Sequence, residues 1–175
     1  MPAYHSAYND IECEQICGCG VYPIKTAVRG PSPSWTQGEG SDIIDETIDF
    51  FRANVLFRNF QVQGPADRTL IYLTLFTQQC IKRVERKDKG EAARVLHALA
   101  VENFKLPGEA GFPLTGTFPA PGSREEQDKL RAFWKQLREE LSGRLMDRLY
   151  DADGTQNKWW MSFSKRKFMD RQLGH

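Results

Sequence analysis

The stretch that most restricts how this chain can fold runs from Pro65 to Lys87, reading PADRTLIYLTLFTQQCIKRVERK. From Leu70 to Thr77 every position is apolar or weakly polar. A helix drawn through it has no solvated face and must be wrapped by other elements. Asp67 lies near its start, while Lys82, Arg83, Arg86 and Lys87 crowd its end, which suits the helix dipole at both termini. A membrane span would need about 20 largely apolar residues, and Gln78 and Gln79 interrupt the run first; no transmembrane segment is expected. A short buried strand is the other alternative, but Tyr72, Leu75, Phe76, Gln79 and Arg83 carry a helical repeat past the apolar run.

The remaining apolar patterns supply the wrapping. Ser41 is a good N-cap, followed by Asp42, Asp45 and Glu46 in a first turn. Ile44, Ile48, Phe51 and Val55 then form a stripe that Ile43, Phe50 and Phe57 widen. Gly64-Pro65 breaks the chain before the central helix, because proline is tolerated in a first turn. Gly90 to Val101 reads as a shorter helix with Ala92, Val95, Leu96 and Leu99 inward and His97 on or beside that face. Residues 103–122 form a loop rich in proline and glycine; its apolar content suits a cover for the core or a contact surface. Ser123 and Glu126 then make a capping box. Behind it Leu130, Trp134, Leu137, Leu141, Leu145 and Leu149 define a helix of about 26 residues. Gly143 inside that helix predicts close packing or a bend. Fewer than four heptads favour an intramolecular bundle over a coiled coil.

Residues 1–40, punctuated by glycine and proline, read as an irregular arm. Length and 40% hydrophobic content suit one core. The expectation is therefore an all-α, single-domain helical bundle over residues 1–175, with an irregular arm at 1–40, a helical body at 41–175 and the apolar helix at about 65–87 in the centre.

The formal net charge of +1 argues against a general polyanion binder. Charge is uneven, however: residues 1–60 carry 4 basic and 8 acidic side chains, and residues 123–175 carry 12 and 9. With no signal-like N-terminus and no Asn-x-Ser/Thr acceptor, a cytosolic protein with reduced thiols is expected. Cys13, Cys17 and Cys19 form C-x3-C-x-C near His5, but the only distant ligand candidates are Cys80 and His97. Free thiols are favoured over zinc. Asp151 to Gly154 starts like a calcium loop but lacks the glycine and glutamate that would complete one, so it reads as a turn. Nucleotide-binding and hydrolase motifs are absent. His5, His97 and His175 have no neighbouring nucleophile, and the prior moves toward a binding or scaffolding protein.

The last segment, KWWMSFSKRKFMDRQLGH, interleaves aromatic and basic residues. Trp160, Phe163 and Lys167 would share one face of a final amphipathic helix. Three readings compete: tryptophans that fill the core, a protein interface in which Trp and Arg engage an acidic surface, and nucleic-acid binding by stacking and phosphate contacts.

Several strings, taken in order, resemble the p21-Arc family, subunit 3 of the actin-related protein 2/3 complex. They are MPAYHS, VRGPSP, SDIIDETIDFFRANVLFRNF, ADRTLIYLTLFTQQCIKR, NFKLPGEAGFPL, FWKQLREELSGRL and KWWMSFSKRKFM. The departures lie in residues 7–20 and from Glu85 to His97, so Cys13, Cys17 and Cys19 inherit no role. The resemblance implies an all-helical, non-catalytic structural subunit without cofactor or metal, in a seven-subunit assembly that nucleates branched actin filaments. It implies partners in actin-related protein 3 and the other subunits, and in actin-related protein 2 and the actin filament at the branch, with no nucleic acid bound. It also implies a place in the cytoplasmic actin cytoskeleton. Beside it stand our candidate partner-binding residues, Tyr4 and His5 in the arm and Trp159, Lys165, Arg166 and Lys167 in the last segment. The alternative is a stand-alone helical domain that binds nucleic acid or phosphoinositide through that segment.

Overall fold

The computed structural model describes residues 3–174, so Met1, Pro2 and His175 fall outside it. After a 3-10 turn at Ala7–Asp10 come two strands, β1 (Glu14–Ile16) and β2 (Cys19–Val21). The helices are α1 (Ile43–Asn54), α2 (Pro65–Arg83), α3 (Lys89–Val101), α4 (Arg124–Leu149) and the single turn α5 (Lys158–Met161), with a last 3-10 turn at Phe168–Asp170.

Helix α2 is the hub. Every residue from Thr69 to Ile81 is buried, and so are Ala66 and Asp67. Helices α1, α3 and α4 and strand β2 all pack on it. With apolar side chains projecting in all directions, burial on all sides is the only arrangement that removes them from water. Its three buried threonines have different solutions: Thr74 and Thr77 hydroxyls donate back to Leu70 and Leu73 carbonyls, while Thr69 donates to the Gly20 carbonyl at 2.8 Å.

That last bond ties α2 to the element that overturns the all-α expectation. β1 and β2 pair antiparallel, with Gln15 opposite Gly20 and Ile16 opposite Cys19. The two connecting residues, Cys17 and Gly18, both take positive φ, at 49° and 77°, the twist that a two-residue hairpin turn needs. Ile16, Cys17, Cys19, Val21 and Tyr22 are all buried. The arm is one wall of the core, because three helices leave part of α2 uncovered and the hairpin covers it. The protein is thus helix-rich but mixed. At Gly20 a Cβ would come within 2.5 Å of the Tyr22 ring, so this position has room only for glycine.

Local details also differ from expectation. The cap of α1 is Asp42, not Ser41: its carboxylate accepts from Asp45 N at 2.9 Å, and Asp45 reciprocates at 3.3 Å. At α4, Ser123 caps Glu126 N, but the Glu126 carboxylate reaches Gly122 N and the box is not closed. Gly143 is exposed with nothing near its Cβ direction, so no close packing explains it. Val95 is half-buried, and His97 is exposed while Ala100 takes an inward place on α3. The loop after α3 does cover the core. Phe112 and Phe118 meet Trp134 at 5.9 and 5.8 Å, and Trp134 stacks on Tyr72 of α2 at 3.6 Å.

Candidate partner-binding surface

Two neighbouring residues of the arm point opposite ways. Tyr4 is pinned through its backbone, its N–H donating to Asn54 Oδ1 at 2.8 Å and its carbonyl accepting from Asn54 Nδ2 at 2.9 Å. Its ring is 45% exposed and stacks on Phe50 with centroids 5.3 Å apart. His5 turns inward: Nδ1 lies 2.6 Å from Asp67 Oδ2, and the ring sits 4.5 Å from that of Phe60. Asp67 is fully buried and also accepts from Ser6 N and Gln63 N. Ser6 Oγ and Ala7 N in turn donate to Glu46. Burial raises the Glu46 carboxyl despite these two hydrogen bonds, which pull the other way.

The last segment is not the expected amphipathic helix. It is α-helical only over Lys158–Met161, and Gln78 of α2 captures the backbone further along, at Phe168 and Arg171. Its Oε1 accepts from Phe168 N at 2.6 Å and its Nε2 donates to Arg171 O at 2.8 Å. Adjacent tryptophans divide the roles. Trp160 is buried, stacked on Phe51 at 5.8 Å under Arg52, whereas Trp159 is 74% exposed. Trp159 and Tyr4 line one open groove of about 580 Å³, together with Asp49, Phe50, Arg52, Ala53 and Phe163. The structure thus brings the arm and the last segment together on one aromatic surface. Phe50, Arg52 and Phe163 were missed as surface residues; the available signal was that Phe50 lies on the flank of the α1 stripe.

Lys165, Arg166 and Lys167 are all exposed, between the anchors Trp160 and Phe168. None pairs with a described carboxylate. With Lys82 they rim a cleft of about 280 Å³ whose floor includes Gln78 and Gln79. Four cations against one lining carboxylate, Glu85, set a net positive field there.

The cysteines sit elsewhere. All four are free, and Cys17, Cys19 and Cys80 are buried. Burial pushes the Cys17 thiol up to about 12, and Cys19 and Cys80 further in the same direction. They pack as small apolar groups.

A wrapped central helix, with aromatic and cationic side chains left outward in separate patches, defines a class: a helix-rich protein with exposed aromatic and basic surface patches. The chain belongs to the P21-Arc family, described as the ARP2/3 complex ARPC3 (21 kDa) subunit, whose model matches residues 1–173. It is similar to "Actin-related protein 2/3 complex subunit 3" of Arabidopsis thaliana, at 45% identity over 95% of this chain and 97% of the relative. The proteins of the same name from Dictyostelium discoideum and Schizosaccharomyces pombe are each 44% identical. The first alignment covers 97% of this chain and 99% of the relative, the second 99% and 100%. No described helix is long and apolar enough to cross a membrane.

Proposed function

We propose that this chain is a non-catalytic structural subunit of the actin-related protein 2/3 complex, acting in the cytoplasmic actin cytoskeleton to support nucleation of branched filaments. The observation that carries the reading is the family match over residues 1–173. The partners are the other subunits of the complex, actin-related protein 3 in the first place, with actin-related protein 2 and the filament at the branch.

The physical role rests on the division between body and surface. A body organised on one fully wrapped helix resists deformation. A rigid body that contacts actin-related subunits differently in their inactive and filament-like arrangements biases the equilibrium between the two. The contact set carried forward is Tyr4 and Trp159, joined by Phe50, Arg52 and Phe163, with the basic run Lys165, Arg166 and Lys167 as a second element. An exposed tryptophan that becomes buried in a partner's pocket is the commonest kind of hot spot, worth about 2 kcal/mol or more. The basic run suits an acidic protein surface through steering more than through affinity. His5, committed to Asp67, contributes by holding the arm in place.

Affinity purification of the tagged chain from cytosol tests the reading. Stoichiometric recovery of two actin-related proteins with the remaining subunits is the expected result. Recovery of the chain alone, or with nucleic acid released steeply by salt, overturns it.

A further inference from the structure

Two arginines of α4 are treated very differently. Arg144 reaches three carboxylates, those of Asp42, Asp45 and Glu140, at 2.8 to 3.0 Å. Arg138 is only 1% exposed and pairs with none among the described residues. Its Nη1 donates to the Tyr72 hydroxyl at 3.1 Å and its Nη2 to the Leu99 carbonyl at 2.6 Å, both neutral acceptors. Its Nε is buried and has no hydrogen-bond partner. The guanidinium is sandwiched between the rings of Phe76 and Phe104 at 4.5 and 4.4 Å. Aromatic faces and neutral acceptors soften the loss of water around a cation, but they do not neutralise it, and buried charges in folded proteins are ordinarily paired.

Arg138 lines a cleft of about 830 Å³ between the helical body, the segment after α3 and residues 172–174. Its walls carry three cations, Lys105, Arg131 and Arg138, and two carboxylates, Glu102 and Glu109. Glu109 lies 3.5 Å from Arg131, and Glu102 lies 3.9 Å from Arg83, which stands outside the wall. Lys105 at the rim and Arg138 within have no described acidic partner. Arg131 stands on the outer side of Phe104, at 5.5 Å, and donates to the Phe104 carbonyl at 3.0 Å. The same cleft also holds an unmet acceptor, Gln79 Oε1, which is buried without a partner.

We propose that this cleft receives an acidic peptide segment of a neighbouring subunit, whose carboxylate answers Arg138, with Lys105 at the rim, and whose backbone N–H answers Gln79 Oε1. A simple inorganic anion would satisfy the guanidinium and leave the glutamine unmet; a peptide with an aspartate or glutamate supplies both kinds of group. Phe104, on a segment without regular structure, is the ring that shifts to admit the carboxylate. The inference rests on the subunit reading above, and it concerns a face different from the Trp159 groove.

The test uses the assembled complex. A photo-crosslinking residue at Asn103, which lines the cleft, is expected to yield a product with another subunit at a segment containing aspartate or glutamate. Arg138→Met is expected to leave the thermal midpoint of the full chain unchanged or raised, since it removes an uncompensated buried cation, while retention in the complex falls about ten-fold. Lys105→Glu, an exposed change, is expected to weaken retention several-fold with no change in midpoint. Absence of a crosslink, or a crosslink to a segment without an acidic residue, overturns the proposal. So does an Arg138→Met chain that is less stable yet fully retained. If Arg138→Met does not fold, retention of Lys105→Glu at the wild-type level overturns it instead. Failure of the wild-type chain itself to enter the complex would break the subunit reading; variants indistinguishable from an incorporated wild type break only this one.

Discussion

The two ends of the chain, both largely irregular flanks of a helical body, do opposite jobs. The N-terminal arm spends its polar groups inward. His5 and Ser6 close on Asp67, Ser6 and Ala7 on Glu46, and Gln136 of α4 accepts from Ser32 N at 2.8 Å while donating to the Val28 carbonyl at 3.1 Å. The last segment spends its apolar groups inward, through Trp160 and Phe168, and leaves Trp159 and three cations in solvent. A flank whose backbone is captured by buried carboxylates becomes part of the core. A flank held by the anchors Trp160 and Phe168, with Gln78 on its backbone beyond them, keeps a free surface between the anchors.

The contrast breaks first at the junction where arm, α1 and α4 meet. Asp42 is fully buried; burial alone would raise its carboxyl, but Arg144 and the N–H groups of Lys25 and Asp45 hold it below its ordinary value. Arg144→Met leaves that carboxylate buried without its cation. The expected loss is about 3–5 kcal/mol, read as a lower urea midpoint.

Next comes the clamp on the arm. Asp67→Asn removes one of two oxygens that together accept from His5, Ser6 and Gln63. It is expected to cost about 1–3 kcal/mol, with faster amide exchange at residues 4–8. Equal exchange in variant and wild type would show that the arm is held by its hairpin alone.

The pH dependence separates two of the carboxylates that hold the arm. Asp42, with its folded value lowered, contributes stability at neutral pH that is lost as pH falls through that value. Glu46, with its folded value raised, carries a penalty at neutral pH that is relieved as pH falls through its own higher value. Unfolding measured from neutral to acid pH should show a small relief and then the loss. A Glu46→Gln chain should lack the relief.

The smallest effect on stability is expected at the other end. Trp159→Ala, at a side chain 74% exposed, should change unfolding by no more than about 0.5 kcal/mol. Retention in the complex should nonetheless fall about 30-fold, the equivalent of about 2 kcal/mol. Reversing Lys165, Arg166 and Lys167 should likewise spare stability and slow branching at moderate salt. An unchanged branching rate would remove the basic run from the contact set.

How much of this was legible in the sequence depended on the range of the interaction. Helices α2 and α4 announce themselves because their burial is written in spacing along one element, and α4 has the 26 residues its leucine repeat predicts. The hairpin was not legible. Its strands are three residues each, too short for an alternation to register, and Gly18 and Gly20 read as interruptions when one makes the turn and the other makes room for Tyr22. His5 looked available because its partner Asp67 lies 62 residues away. In the last segment, aromatic spacing suggested a final amphipathic helix, whereas the α-helix lasts one turn and Gln78 holds the backbone beyond it. The same spacing still marked Trp159 and the basic run as worth locating, and the structure joins Tyr4 to Trp159 through Phe50 and Phe163, a grouping that no linear pattern contains.

Hydroxyl-radical footprinting of the full chain alone and within the purified complex is the sharpest check on this division of labour, because it reads individual side chains in both states. His5 should be weakly labelled in both, while Trp159 should be strongly labelled in the chain alone and several-fold less in the complex. Equal labelling of Trp159 in the two states would contradict the division, and would mean that the exposed surface of the last segment is not where this subunit meets its partners.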